Sequence, residues 1–387
     1  MHIARIEPLI LHATAKTNWF FIRVTGDTGA RGIGEASLNG WEPMQLAYLQ
    51  QVGPGIEGRE VADIARITRV FPHAPTGLVG ASILSALEQA LADLLAQEAG
   101  MPVHAWLGNH ARASIPVYAN INRATTDRSP AGCAASARNA VAQGFRGVKI
   151  APFDRVCSED FAGDWNAQRA LIDTGIARVF AIRDAVGSGV DVMVDCHWRF
   201  DEATAIAVMK ELEPAGLHWF ECPISEHVTK WEAMKRLRSA ANARGMLLAG
   251  AEMQIGESGF APLLSGGLFD VVMPDVKYAG GYAEMMKISA LAHRHGVLCS
   301  PHNPTGPVCN MASMHLMCAS PHFSKLEFQL GESALFFDVT GGRGPQLVDG
   351  NFAAPPDAPG LGLELDDAVL AAHPWQKVAI GLDPRLG

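Results

Sequence analysis

Three acidic residues in the middle of the chain each follow a short apolar run. They are Asp195, Glu221 and Glu252, separated by 26 and 31 residues. Carboxylates gathered at one point repel each other, and at least one would be forced into its neutral form. A hard divalent cation removes this repulsion, and ligation by oxygen atoms with room for water or substrate suits Mg²⁺. The triplet therefore predicts a magnesium site, with three separate surface acids as the alternative.

Other ionisable residues continue the same spacing. Asp275, His302 and Glu327 follow Glu252 at successive intervals of 23, 27 and 25 residues, and Lys149 ends an earlier apolar run. Side chains at the carboxyl ends of the strands of a β/α barrel converge on one mouth, where the active sites of such barrels lie. We therefore expect these residues to share one catalytic site, although any one of them alone could be a solvated loop charge.

Eight short apolar runs, which we predict to be β-strands, would position these residues. Stretches of helical pattern, such as 203–212 and 283–295, lie between them. Strand–helix repetition at intervals of ~25–30 residues indicates parallel βα units, and eight units predict a closed barrel of the α/β class. The predicted strands are 114–118, 147–150, 190–194, 217–220, 246–249, 269–273, 297–299 and 325–328.

The regions before and after the predicted barrel do not repeat this strand–helix pattern. Residues 1 to about 40 are predicted to form strands, and 81–99 repeat apolar residues at the helical spacing before Gly100 ends the pattern. Strands and helices without strict alternation indicate an α+β domain. We therefore divide the chain into an α+β domain at 1–112, a barrel at 113–340 and a C-terminal segment at 341–387.

Composition and charge disfavour several classes of protein. The net charge of −9 and the lack of a basic stripe argue against a nucleic-acid partner. Seven cysteines without a C-x-x-C pair argue against a disulfide framework or a zinc ribbon and favour the reducing cytoplasm. We see neither a signal peptide nor an apolar run of ~18 residues, so we expect no membrane partner.

The segments around the ionisable residues resemble, in order, the barrel motifs of the enolase superfamily. The match is to the mandelate racemase branch of the mandelate racemase/muconate lactonizing enzyme family, and it covers nearly the whole chain. It implies a modified TIM barrel, (β/α)7β, with an N-terminal capping domain on which the C-terminal segment packs back, and a homo-oligomer. The matching segments are VMVDCHWRF, WFECP, LAGAE, MPDVKYAGG and SPHNPTGP, the helix SALEQALADLLAQEAGMPVHAWLG and the tail APGLGLEL.

The resemblance implies a role for each residue of the acidic triplet and for a neighbouring dyad. Asp195, Glu221 and Glu252 match the three Mg²⁺ ligands of the family. Asp275 and His302 match its Asp–His dyad. The imidazole of His302 would abstract the proton α to a carboxylate, and Asp275 would hold the ring tautomer and stabilise the imidazolium.

Glu327 and Lys149 are expected to act on the carboxylate of a small-molecule substrate. Glu327 matches the acid that hydrogen-bonds this carboxylate in the transition state. To donate that bond its carboxyl must be protonated, which requires a raised pKa of the kind that burial produces. Lys149 would add a positive charge beside the substrate carboxylate.

Two positions favour dehydration over racemisation. His197 lies two residues after Asp195, so strand alternation points both side chains into the barrel. A D-x-H motif here resembles the acid that protonates the departing hydroxyl in dehydratases of sugar acids; a histidine that only bonds a water near the metal is the alternative. Racemases of this branch carry K-x-K on the second strand, and Ala151 replaces the second lysine. We therefore predict a dehydratase that converts an aldonate or aldarate to a 2-keto-3-deoxy acid.

Weaker signals nominate residues that contact the remainder of the substrate. Asn18 and Trp19 lie on an early polar loop, Asn120 follows the first barrel strand, and Arg199 could pair with a distal carboxylate. The alternatives are a Trp19 that begins a strand and packs internally and an Arg199 that forms a surface ion pair. A racemase or epimerase and a cycloisomerase of lactones remain as alternatives. A non-catalytic barrel is disfavoured, because a binding protein needs no base and acid around a metal.

Overall fold

The computed structural model describes residues 1–63, 77–108, 112–157 and 165–379. The capping domain begins with an antiparallel sheet of β1 (Ile3–Thr14), β2 (Thr17–Gly26) and β3 (Arg31–Glu35). The long helix at Gly77–Glu98 packs on this sheet at very short range. A Cβ atom at Gly32 or Gly34 would lie 2.0 Å from a backbone oxygen of that helix, so only glycine permits this contact.

The barrel contains every strand that the sequence predicted. Its eight parallel strands are separated by seven helices within the described residues, which confirms the (β/α)7β class. The last strand pairs with the first, and a backbone bond from Ser324 N to Cys299 O, 2.7 Å long, links the segment just before it to the seventh strand. The strands are β4 Ser114–Asn120, β5 Gly147–Ile150, β6 Asp191–Asp195, β7 Trp219–Glu221, β8 Leu247–Gly250, β9 Val271–Val272, β10 Leu298–Cys299 and β11 Leu326–Gln329.

Helices cover most of the three segments in which the sequence repeats apolar residues at the helical spacing, 81–99, 203–212 and 283–295. A hairpin, β12 (Leu347–Val348) and β13 (Asn351–Ala353), follows the barrel. The helices are α1 Glu42–Val52, α2 Gly77–Glu98, α3 Val103–Leu107, α4 Pro130–Ala142, α5 Trp165–Val186, α6 Glu202–Leu212, α7 Trp231–Asn242, α8 Gly256–Ser265, α9 Gly281–Arg294, α10 Pro307–Ala319, α11 Leu335–Asp338 and α12 Asp367–Ala372.

A plug of apolar side chains fills the barrel interior below the strand ends. Tyr118, Met193 and Trp219 belong to this buried cluster. Side chains two residues apart on a strand share a face, so the next inward positions at the carboxyl ends are those of Asn120, Asp195 and Glu221. These polar groups therefore lie directly above a layer of buried, mainly apolar side chains.

The C-terminal segment divides its contacts between the two domains. The β12–β13 hairpin pairs with β4 of the barrel, whereas the C-terminal segment was expected to pack back on the capping domain. Only farther along does the chain reach the capping domain, where His12 N donates to His373 O at 3.0 Å. The hairpin adds to the barrel because the edge of β4 near Ser114 offers unpaired backbone groups.

Helix α2 is long and apolar enough to cross a membrane by length and composition. Of its 18-residue apolar window, 83% is buried inside the fold. Its apolar surface is therefore accounted for by packing against the sheet and the barrel.

Two buried glutamates of the capping domain bind the first turns of barrel helices. Glu35 accepts from Gly306 N at 2.8 Å and from Cys309 N at 2.9 Å, at the start of α10. Glu88 accepts from Tyr282 N at 2.7 Å and from the next backbone N–H at the start of α9. A negative charge is stabilised at a helix N-terminus, where backbone N–H groups have no partner within the helix.

Glu88 should make stability depend on pH. Burial raises its pKa from 4.5 to about 7, although the N–H groups of Tyr282 and Ala283 oppose this shift. Between those values the folded protein keeps a proton that the unfolded chain has lost, so stability falls as pH rises. Relative to Glu88→Gln, the wild type should lose about 3 kcal/mol of unfolding free energy between pH 4 and pH 8.

Urea unfolding of both proteins at the two pH values measures this difference. Glu98→Gln, at an exposed site on the same helix, is the control and should show no such dependence. A pH-independent difference between the wild type and Glu88→Gln would contradict the prediction.

Candidate active site

The acidic triplet gathers at the ends of three neighbouring strands. Asp195 and Glu221 are paired in register as the last residues of β6 and β7, and their carboxylates lie within 4.8 Å of each other and of the Cys222 thiol. Glu252 follows β8, and its Oε2 lies 3.9 Å from Cys222 Sγ. All three acids are buried. The structure thus brings Asp195 and Glu221 into one close group, and Glu252 approaches it from the next strand.

The electrostatics of this cluster indicate a shortage of positive charge. Burial, with the neighbouring carboxylates, raises the pKa of Glu221 well above its usual value and that of Glu252 to about 8. The pKa of Asp195 is lowered to about 2: burial opposes this shift, but the charge and hydrogen bond of His197 outweigh it. Burial also raises the pKa of the Cys222 thiol, so sulfur is a poor ligand here. Buried carboxylate oxygens without enough cations fit a hard divalent ion.

Lys149 joins two of the buried acids. Its Nζ lies 2.7 Å from Glu221 Oε1 and 2.8 Å from Glu327 Oε1, and Asn120 Nδ2 donates to the same Glu327 oxygen at 2.7 Å. Burial raises the pKa of Glu327, but the charge of Lys149 outweighs it, and the pKa falls below its usual value. The sequence analysis expected a raised pKa for Glu327, and this expectation is wrong. The buried carboxylate lies at hydrogen-bonding distance from the cation Lys149, which lowers its pKa.

The Asp–His pair forms as the sequence predicted. His302 Nδ1 lies 2.8 Å from Asp275 Oδ2, and His302 Nε2 lies 3.5 Å from Glu252 Oε2. The sequence prediction missed Lys277, whose Nζ contacts the same Asp275 oxygen at 2.7 Å. Its spacing of two residues from Asp275 could have revealed it. Burial raises the pKa of Asp275, but Lys277 and His302 lower it overall, so the carboxylate stays charged beside the ring.

His197 lies at the site, but not because of the strand alternation expected from the sequence. The strand ends at Asp195, and His197 and Trp198 have φ of +47° and +56°, in the left-handed region. This turn places His197 Nε2 2.7 Å from Asp195 Oδ2. Burial lowers the pKa of His197, but the charge and hydrogen bond of Asp195 raise it overall, so this imidazole is suited to carry a proton.

A cavity of about 450 Å³ opens above these groups at the capping domain interface. Lys149, Asp195, His197, Glu252 and His302 line it. Of the predicted substrate contacts, Trp19, Asn120 and Arg199 line the cavity as well. The cavity is also lined by three residues that the sequence analysis did not select: Thr305, Gln329 and Arg123.

Asn18 does not line this cavity, so the prediction that it contacts substrate is wrong. It lies within β2, where neighbouring side chains point to opposite faces, and Trp19 takes the face toward the site. Asn18 is fully buried, and its Nδ2 donates to Glu42 Oε1 at 3.0 Å and to Gln376 O at 2.9 Å.

A second cavity of about 480 Å³ shares Trp19, Thr305 and Gln329 with the first. Phenylalanines, among them Phe145 and Phe328, line much of it. It contains none of the acids, lysines or histidines described above, so the chemistry belongs to the cavity at the strand ends.

Comparison with known proteins shows that both domains of the chain match models of known protein families. One family model, described as mandelate racemase/muconate lactonizing enzyme, N-terminal domain, matches residues 4–108, and a second, described as enolase C-terminal domain-like, matches 132–369. A D-galactonate dehydratase from Ralstonia pickettii (strain 12J) is 29% identical over 91% of this chain and 90% of its own length. A D-gluconate dehydratase from Thermoproteus tenax is 28% identical over 99% and 76%. A solved mandelate racemase/muconate lactonizing enzyme from Jannaschia sp. CCS1 has a TM-score of 0.86 at 27% identity, covering 99% of this chain and 100% of that one.

Replacing Lys149 should expose how much the buried charges depend on it. Lys149→Met leaves Glu221 and Glu327 without their shared cation, and breaking a buried ion pair costs about 3–5 kcal/mol of unfolding free energy. Urea unfolding without metal measures the loss. Lys235→Met, at an exposed helical ion pair, is the control and should change stability by less than about 0.5 kcal/mol. Equal effects of the two substitutions would refute the assignment.

Proposed function

The chain belongs to the mandelate racemase/muconate lactonizing enzyme family of the enolase superfamily, and on that premise we propose that it is a Mg²⁺-dependent dehydratase of a sugar acid. It would remove the α-proton and the β-hydroxyl of an aldonate or aldarate and form a 2-keto-3-deoxy acid. One observation carries the proposal: two imidazoles face the same cavity, His302 beside Glu252 and His197 beside Asp195. Two relatives named D-galactonate dehydratase and D-gluconate dehydratase support it.

Asp195, Glu221 and Glu252 are the residues that would hold Mg²⁺. Their oxygen donors and their raised or strongly shifted pKa values fit a hard cation. When bound, the ion would act as a Lewis acid toward the substrate oxygens on which negative charge develops.

Lys149 and His302 would perform the first half of the reaction. The ammonium of Lys149, held by Glu221 and Glu327, places positive charge next to the substrate carboxylate. His302 would take the C2 proton on Nε2, because its Nδ1 is occupied by Asp275. The carboxylate of Asp275 would stabilise the imidazolium that forms.

His197 would complete the elimination. As the C2 electron pair forms the C2–C3 double bond, the C3–O bond breaks, and His197 gives its proton to the departing hydroxyl, which leaves as water. The enol product then tautomerises to the 2-keto-3-deoxy acid. The Asp195 carboxylate holds the proton on His197 beforehand.

Racemisation is less well supported by the same site. A two-base racemase needs a second base on the opposite face of the substrate, and Ala151 stands where the second lysine of the K-x-K pattern would be. Lys149 is held between two carboxylates that raise its pKa well above its usual value against the effect of burial. A lysine that keeps its proton is a poor base.

The cytoplasmic location and the homo-oligomeric state stay predictions. The seven cysteines are all free thiols, which fits the reducing compartment expected from the sequence.

Magnesium should stabilise the protein through the acidic cluster. Ligand at 100 times its dissociation constant adds about 2.7 kcal/mol to the free energy of unfolding. We expect the melting temperature of the wild type to rise with Mg²⁺ and that of Glu252→Gln to rise much less. Glu257→Gln, at a half-exposed site, is the control and should respond like the wild type. A wild type that ignores Mg²⁺ would refute the metal assignment.

Substitution of His302 and substitution of His197 should block different steps of the reaction. His302→Asn should abolish both keto acid formation and exchange of the C2 proton with deuterium, because it removes the base. His197→Asn should lower keto acid formation by about 10²–10⁴-fold and leave C2 exchange. His227→Asn, at an exposed position, is the control. A library of aldonic and aldaric acids with Mg²⁺ supplies the substrates, and exchange by the wild type without keto acid would indicate an epimerase.

A further inference from the structure

Two residues that line the active-site cavity each carry a buried side-chain atom with no hydrogen-bond partner among the described residues. These atoms are Trp19 Nε1 and Gln329 Oε1. Their residues are 1% and 4% exposed. A buried polar atom without a partner is destabilising, and a ligand that supplies the missing bond recovers that free energy.

The position of Gln329 relates it to the far end of the substrate. It is the last residue of β11, two residues after Glu327, so both side chains share the inward face. Two residues along a strand span about 7 Å, which places Gln329 closer to the mouth than Glu327. Its Nε2 donates to the Asn120 carbonyl oxygen at 3.3 Å. That bond orients the amide and leaves the oxygen as an unused acceptor.

The remaining unpaired atoms do not share this location. In the described part of the chain they belong to Gln45, Tyr118, Arg244 and Tyr282, none of which lines the cavity. Trp19 Nε1, a donor, and Gln329 Oε1, an acceptor, are therefore the two unpartnered buried atoms that belong to residues of this cavity.

We propose that Trp19 and Gln329 form a subsite for the distal hydroxyl groups of the substrate. Trp19 Nε1 donates to a hydroxyl oxygen, and Gln329 Oε1 accepts a hydroxyl proton. The subsite rests on the proposed dehydratase function and narrows its substrate class. A hydroxyl both donates and accepts, so a polyhydroxylated chain matches both atoms.

The subsite distinguishes aldonates from aldarates. A second carboxylate, ionised at neutral pH, could accept from Trp19 but has no proton for Gln329 Oε1, and its oxygens would face an amide oxygen. The nearby cation Arg123 already binds both oxygens of Glu332, at 2.8 and 2.9 Å. A site that hydrogen-bonds a substrate hydroxyl discriminates strongly against an analogue that lacks it.

The test measures kcat/KM of the Mg²⁺-loaded enzyme for an aldonate, for the aldarate of the same configuration, and for aldonates that lack one hydroxyl at C4, C5 or C6. The variants are Trp19→Phe and Gln329→Met, which keep side-chain size and remove the polar atom. Matched controls are Trp375→Phe and Gln51→Met, both at exposed positions.

The wild type should prefer the aldonate to the aldarate by at least ~10-fold. Each variant should lose ~10-fold or more in kcat/KM for the aldonate, mainly through KM, and should lose nothing further on the one deoxy acid that lacks the recognised hydroxyl. A structural role would lower activity equally on every acid, and that result overturns the subsite. A wild-type preference for the aldarate also overturns it and would point to Arg199. If the wild type forms keto acid from none of the acids, the dehydratase proposal fails and the subsite fails with it.

Discussion

The buried charge balance around Lys149 is the interaction on which the site depends. One ammonium group lies within 2.8 Å of Glu221 and Glu327, and all three side chains are almost fully withdrawn from water. Such charges are tolerated only when they are paired and hydrogen-bonded. Lys149 satisfies part of the negative charge, and the raised pKa values of Glu221 and Glu252 show that another part remains. The same arrangement that holds the acids in place therefore prepares them for a cation.

The capping domain contributes to the geometry of the catalytic loops as well as to the cavity wall. Glu35 binds the start of the helix that follows the His302 loop, and Glu88 binds the start of the helix that follows the Asp275 loop. The two members of the dyad come from separate loops, so their 2.8 Å contact requires both loops to be held. Helix N-termini offer backbone donors that a buried carboxylate can satisfy, which makes this interdomain contact both specific and rigid.

Much of the fold could be predicted from local pattern. The eight barrel strands were found because apolar runs of three to five residues, repeated at one βα interval, leave few other folds. The same repetition located Asp195, Glu221, Asp275 and His302 at strand ends. Lys277 and Gln329 were missed, although each lies two residues from a selected acid. The rule that alternate strand residues share a face would have identified Gln329, which lies on the same strand as Glu327. Lys277 lies in a turn beyond β9, where that rule does not apply.

The sequence by itself determined the class of fold, the order of the chemical groups and the strand ends on which they lie, because periodicity and spacing are properties of the chain. The tertiary structure decided the remaining contacts and the charge state of each group. Asn18 turned away to Glu42, His197 entered through a left-handed turn, and Glu327 acquired a lowered pKa from Lys149, 178 positions earlier in the chain. Contacts and pKa values depend on distances between segments remote in sequence, and no local pattern encodes those distances.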